Sequence, residues 1–410
     1  MNLLFIHGNF PGQFLDIAPA MALRCGGRTV FLTQSDNPQN IRLPGVELVR
    51  FARHREVRAD VHPYLESSER AVLNGQAVLR AIRELVDQGF VPDVVIVHGG
   101  NGFGLFVKSI LPQCRLISYQ EWYFTAETLP YLMPGLTLDQ RLRGEMRNLM
   151  ISEEILRSDA VVCPTAWQIA QFPQLLQTQF TQIFDGINPA LFKPVQQADL
   201  QQPWCLDGSM MEQPLRFQPG DRVLSYGTRG MEPLRGFPEF MRAAAVAQQQ
   251  DPALQVVVFG QDRLAYGNER SSHASGSWKQ AMLEELRRQL DPSRLHFTGL
   301  ISYGSLATLF QRTQLHCYFT RPYVVSWGVF QAAACGARVL VNRFKGIDEV
   351  FAQPPLLAPV DLDDQSAVTA AVLAGLRQPL DVNDGRSNLP SMLELSHCLE
   401  AWWQLLRGQL

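Results

Sequence analysis

Short, almost wholly apolar segments recur twice along this chain in alternation with longer helical patterns, and no other feature limits its fold as much. In the first run the strand candidates are 3–6, 28–33, 46–51, 94–97, 116–119 and 160–162. Helices fit between them at about 13–24, 66–89, 103–110 and 138–157, the last with Leu142, Met146 and Leu149 at helical spacing. A second run starts near residue 220, with strands at 222–226, 254–259, 295–297, 315–319 and 339–341 and helices at about 236–249, 276–289, 303–312 and 326–335. Strands alternating with helices demand a parallel sheet covered on both faces. At 410 residues the chain is also too long for one ordinary core. The expected fold class is α/β, two doubly wound Rossmann-like parallel-sheet domains in tandem.

The expected divisions are 1–190, a linker at 191–220, a second domain at 221–380 and a closing amphipathic helix within 381–410. The linker is rich in Pro, Gln and Asp, and Asp207-Gly208 suits the tight turn of a small hairpin with Trp204 and Leu206 on one arm. Trp402 and Trp403 on the last helix need covering, and the first domain is a candidate for it.

A net charge of -3 offers nothing to a polyanion, so no nucleic-acid partner is expected. Seven scattered cysteines without CxxC spacing read as reduced thiols with no zinc site. The opening MNLLFIHG has no basic region and too short an apolar run for a signal peptide, and no stretch approaches the length of a membrane span. A cytoplasmic protein is expected.

Two loops rich in small residues follow apolar strands: His7 to Gly12, and His98-Gly99-Gly100-Asn101-Gly102-Phe103-Gly104. In a doubly wound fold such loops line the ligand crevice, and glycines let backbone N–H groups come close to a phosphate or sugar. Glu121 stands 21 residues after Gly100, but the spacing is G-x-G-x-G, which argues against a dinucleotide fingerprint. His7 and His98 each end a strand; such a histidine serves as donor, acid or base, or simply bonds a loop carbonyl. Arg229 and Arg235 flank Glu232 in GTRGMEPLRGF, where two cations suit a pyrophosphate; surface arginines paired with Glu232 are the alternative. Between 315 and 342, Ser326 can cap a helix that is apolar on nearly every face and carries one polar residue, Gln331.

Taken in order, these pieces resemble the family 4 retaining glycosyltransferases of the GT-B fold, in the subgroup whose N-terminus reads FIHxNFPGQF. The resemblance spans essentially the whole chain. It runs through Phe5 to Phe14, the PDVVIVH strand with its glycine loop, Pro164-Thr165-x-Trp167-Gln168 and Asp185-Gly186-Ile187-Asn188. It continues through Arg229-x-x-Glu232-Pro233-x-Arg235-Gly236-Phe237 and Ser326-Trp327.

The resemblance implies two domains facing a cleft, a last helix that crosses back to the first domain, and retaining, metal-independent sugar transfer. The donor would be a nucleotide sugar, UDP- or GDP-linked, and the acceptor a glycan, lipid-linked or other hydroxyl compound. Catalytic roles would fall to His98, Arg229 and Arg235. Donor contacts would come from Gly8, Gly12, Glu232, Ser326, Trp327, Gly328 and Gln331 as well. His7, Gly100, Asn101 and Glu121 would stand on the acceptor side. No cofactor is implied. Weak peripheral membrane contact is compatible with such enzymes, although no strongly basic amphipathic helix argues for it. One departure stands out: the subgroup reads SWSLLEAM where this chain has SWGVFQAA. Gln331 thus replaces a glutamate that accepts hydrogen bonds from the donor ribose, and a second glutamate of the wider family is Tyr323 here. A catalytically degenerate protein that binds nucleotide or glycan, or scaffolds a partner, is the alternative function.

Overall fold

The computed structural model describes residues 1–37, 40–129, 136–265, 276–321, 324–343, 346, 359–378 and 389–410. These fall into two units: one holds the described residues up to Gly186 together with Leu395–Leu410, the other those from Ile187 to Glu394.

The first unit is built on seven parallel strands: β1 (Leu3–His7), β2 (Thr29–Thr33), β3 (Val46–Arg50), β4 (Val94–His98), β5 (Arg115–Tyr119), β6 (Ala160–Cys163) and β7 (Phe180–Gln182). Their order is β3-β2-β1-β4-β5-β6-β7. Every residue of β1 and β2 is buried, as strands covered on both faces must be. Its helices include α1 (Ile17–Cys25), α2 (Glu66–Asp87), α3 (Val107–Ile110), α4 (Leu138–Glu145) and α5 (Asn148–Arg157). One face of the sheet takes the stripe Ala77, Val78, Ala81, Ile82 and Leu85 of α2 against Leu4, Ile6, Val95 and Val97. The other takes Ile17 and Met21 of α1 with Trp402, Leu405 and Leu406 of the C-terminal helix Leu395–Leu406. Trp402 is fully buried and stacks on Tyr119, so the helix does cross back to the first sheet.

The second unit carries the antiparallel pair β8 (Trp204–Leu206) and β9 (Leu215–Phe217) and a five-stranded parallel sheet. Its strands are β10 (Val223–Gly230), β11 (Gln255–Gln261), β12 (Leu295–Gly299), β13 (Leu315–Tyr318) and β14 (Val339–Val341), ordered β12-β11-β10-β13-β14. Helices α6 (Phe237–Gln250), α7 (Trp278–Glu285), α8 (Tyr303–Arg312), α9 (Trp327–Ala334) and α10 (Gln365–Arg377) complete it. The architecture is the doubly wound α/β pair that the alternation demands.

Several local expectations change. The helix expected over 138–157 is two, α4 and α5, and its buried face is not the leucine stripe. Leu142 is 40% and Leu149 49% exposed, while Ile151, Glu154 and Ile155 point inward. The helix expected at 103–110 shrinks to α3, because the glycine loop occupies the residues before it. Asp207-Gly208 is not a two-residue hairpin turn: β8 pairs with β9 across 207–214. Gly208 is needed elsewhere, since a Cβ there would lie 2.2 Å from the Thr298 carbonyl oxygen. Strand β7 and helix α10 were not expected at all.

Candidate functional site

The ligand crevice of a doubly wound sheet lies where strand order reverses, beyond the carboxyl ends of the strands. In the first unit that point falls between β1 and β4. Ile6 pairs with Val97, so His7 and His98 leave neighbouring strands side by side, with ring centroids 4.2 Å apart. His98 pairs in turn with Tyr119, and the chain beyond β5 delivers Glu121 to the same place. Glu121 Oε2 lies 3.2 Å from His98 Nε2, and its Oε1 accepts from Gln13 Nε2 at 2.8 Å. Gln13 Oε1 is 2.7 Å from His7 Nε2. Sequence reasoning gave Gln13 no role, and no spacing rule pointed to it. Burial works to raise the Glu121 carboxyl, but the hydrogen bond and electrostatic pull of His98, with help from Gln13 and His7, hold it below the usual carboxylate range.

The glycine loop after β4 is organised by a residue the sequence did not single out. Glu154, on α5 and 1% exposed, accepts from the N–H of Gly100 at 2.6 Å and of Gly104 at 3.0 Å. A turn of converging N–H groups attracts an anion, and here the chain supplies its own. The N–H groups of Gly100 and Gly104 are therefore engaged inside the fold. Burial pushes the Glu154 carboxyl up to about 7, while the backbone N–H groups of Gly104, Gly100 and Gly102 pull the other way. Asn101 is tied down too, its carbonyl accepting from Asn74 Nδ2 at 2.8 Å. Gly8 packs under the ring of Phe103, and Gly12 lies over His7.

In the second unit the strand order reverses between β10 and β13. Arg229 is exposed near the end of β10, whereas Glu232 and Arg235 are buried at 0% and 5% exposure in the turn leading to α6. Surface arginines paired with Glu232 therefore do not describe Arg235. Its guanidinium donates to Thr320 Oγ1 at 2.6 Å, and its carbonyl accepts from the Tyr226 hydroxyl at 2.7 Å. Thr320 is itself clamped: its N–H donates to Asn342 Oδ1 at 2.8 Å and its carbonyl accepts from Asn342 Nδ2 at 2.6 Å. Arg235 is thus a desolvated cation held in one direction beside the strand-order reversal, which suits a diphosphate. Ser326 caps α9 as expected, its Oγ accepting from the Gly328 N–H at 3.4 Å and its own N–H donating to the Tyr318 hydroxyl at 2.8 Å. Trp327 and Gly328 form the partly exposed first turn, and Gln331 is 7% exposed. Tyr323 lies outside the described residues. Among the described residues no helix is long and apolar enough to cross a membrane.

Two parallel-sheet units of this kind, each with charged residues at its strand-order reversal, have the architecture of the GT-B glycosyltransferases. Sucrose-phosphate synthase from Thermosynechococcus elongatus matches with a TM-score of 0.72 and 16% identity, over 100% of this chain and 98% of that one. HepE of Anabaena, solved in complex with UDP and glucose, matches at 0.65 and 14% identity over 100% of both chains. A UDP-forming α,α-trehalose-phosphate synthase from Burkholderia xenovorans matches at 0.66 and 12%, over 99% of this chain and 98% of that one. No curated protein matches the sequence. Residues 26–192 match the sequence profile of the glycosyl transferase family 4 group. The whole chain thus has the GT-B fold, and the segment 26–192 is similar to the family 4 glycosyltransferases.

Proposed function

We propose that the protein transfers a sugar from a nucleoside diphosphate sugar to a hydroxyl acceptor, with retention at the anomeric carbon and without a metal ion. The observation that carries this reading is Arg235, a buried and directionally fixed cation at the strand-order reversal of the second unit, with Arg229 exposed nearby on β10. Two guanidinium groups there stabilise the charge that gathers on a departing diphosphate. In the transfer the anomeric C–O bond to the diphosphate breaks and a C–O bond to the acceptor forms on the same face. The acceptor proton leaves with the diphosphate oxygen, so neither a metal nor a covalent intermediate is called for. His98 meets the transferred sugar, and Glu121 with His7 stands on the acceptor side.

The test is incubation with a panel of UDP-, GDP- and ADP-sugars, scored for free nucleotide and for a saturable binding isotherm. Release of nucleotide from one donor supports the reading; no binding to any donor sinks it. HepE was solved with UDP and glucose, which makes UDP-glucose the first donor to try.

One observation favours a second reading. Gln331 stands buried on α9 at the position where the resemblance expects a ribose-binding carboxylate. A protein that has lost turnover but keeps a nucleotide or glycan site would bind a donor without ever releasing nucleotide from it.

A further inference from the structure

The glycine-containing turn after β1 invites a phosphate-loop reading, but its hydrogen bonds give it another task. Asn9 N–H can only donate, so His7 Nδ1, 2.8 Å away, is the acceptor and carries no proton. His7 therefore bears its proton on Nε2 and donates to Gln13 Oε1 at 2.7 Å. That turns the Gln13 amide NH2 toward Glu121 Oε1, at 2.8 Å. The other carboxylate oxygen of Glu121 takes its hydrogen bond from His98 Nε2 at 3.2 Å. A proton on His98 Nδ1 would be buried without an acceptor, because that atom has no hydrogen-bond partner among the described residues. One direction of donation satisfies the whole chain, from Asn9 through His7 and Gln13 to Glu121, with His98 donating from the far side.

Gly12 belongs to the same device. A Cβ on it would lie 2.6 Å from His7 Nε2, and its φ of +55° lies in the left-handed region. Only glycine lets the turn fold over the imidazole and bring Gln13 within reach of both His7 and Glu121. Of the two partners in the His98–Glu121 pair, the Glu121 side chain is the more open, 29% exposed against 11%. It is the member a substrate reaches, and its remaining lone pairs accept from hydroxyls while its charge repels anions.

We propose that Gln13 is a positioning residue: it fixes which way the Glu121 carboxylate faces and, through it, which nitrogen of His98 carries the proton. The purpose of this arrangement, presenting Glu121 to a hydroxyl-bearing acceptor, rests on the sugar-transfer reading. Its geometry does not.

The experiment uses the full chain labelled with ¹⁵N in histidine, with ring signals of His7 and His98 assigned by single substitution. In the wild type both rings show a protonated Nε2 and a bare Nδ1. Gln13→Leu, at unchanged melting temperature, leaves His98 as a mixture of tautomers. Gln13→Glu, which keeps the size, places a second carboxylate against Glu121; the pair then shares a proton, and a titration absent from the wild type appears in the His98 signals. A wild-type His98 protonated on Nδ1, or His98 signals indifferent to both substitutions, overturns the proposal. Calorimetry with UDP and with GDP provides a separate arm. Affinity in Gln13→Leu stays within twofold of wild type if the turn serves Glu121, and a tenfold loss would return the turn to the donor phosphates and overturn it. If the wild type binds neither nucleotide, the sugar-transfer reading fails while the imidazole signals still decide the relay.

Discussion

Glu154 offers a measurement in which the sign and the size both follow from the structure. Its carboxyl is held at about 7 against an ordinary value of 4.5, chiefly by burial, with Gly104, Gly100 and Gly102 N–H groups opposing. Below the unfolded value the group is neutral in both states and has no effect. Between the two values the unfolded chain releases the proton and the folded one keeps it, so stability falls as pH rises. Above about 7 both states are charged and the penalty is complete, roughly 3 kcal/mol at about 1.4 kcal/mol per tenfold change in proton affinity. Glu154→Gln cannot ionise, so this slope vanishes. The amide brings a different cost: its NH2 faces an N–H donor, which leaves one buried donor unsatisfied at about 1–3 kcal/mol, independent of pH. The wild type is therefore expected to be more stable than Glu154→Gln near pH 5 and to lose that advantage by pH 8. The two stabilities should shift relative to each other by about 2.5 kcal/mol over that range. Urea unfolding followed by hydrogen exchange in peptides from β4 and β5 reads the first unit alone. Parallel curves for the two proteins would refute the reasoning, because they would mean that Glu154 titrates alike in both states.

Further outcomes are tied to single side chains. Arg235→Ala is expected to lower sugar transfer by about 100-fold or more, as removal of a preorganised charge-stabilising donor does. Arg235→Lys should not restore it, since a single ammonium cannot keep Thr320 while gripping a diphosphate; nucleotide release from the donor found in the panel is the measurement. Gln331→Glu should tighten nucleotide-sugar binding about tenfold, because a hydrogen bond to a charged acceptor is worth about 1.5–3 kcal/mol against ~1 for a neutral one. The same change should lower the stability of the ligand-free second unit by burying a carboxylate, and calorimetry with thermal melting checks both signs. Gly12→Ala should cost about 1–2 kcal/mol from the left-handed backbone alone, and it should displace His7, visible as loss of the His7 Nε2–H signal together with a lower melting temperature.

Much of this was open to reading in the sequence because the informative signals are local. Segments such as LLFI and VVIV are apolar at every position, and only a strand covered on both faces uses such a run. His7 and His98 were recognisable as strand-end residues, and the parallel register then places them together. What could not be read is tertiary. The leucines of 138–157 have helical spacing, yet the inward face is the one with Ile151, Glu154 and Ile155. An acid between two isoleucines at helical spacing was the available clue, and it was outweighed by a more regular leucine stripe. Gln13 gave no clue at all, since its meaning depends on Glu121, 108 residues away. The Asp207-Gly208 pair misled because glycine there answers a close approach to Thr298 and not a turn.

The two glutamates of the first unit show why residue type alone does not assign a role. Both are carboxylates beside backbone turns at the strand ends, and His98 works to lower both. Glu154 has backbone N–H groups as partners and is sealed from water, so burial wins and its carboxyl rises to about 7. Glu121 faces two side-chain donors, His98 and Gln13, and these outweigh burial and keep it charged. A group that stays ionised and remains partly open can act on a substrate. A group that is enclosed and poorly ionised can only hold the loop. On the sugar-transfer reading proposed above, the N-terminal site works through Glu121 and His98, with Glu154 occupying the seat that the glycine loop would otherwise offer to a phosphate.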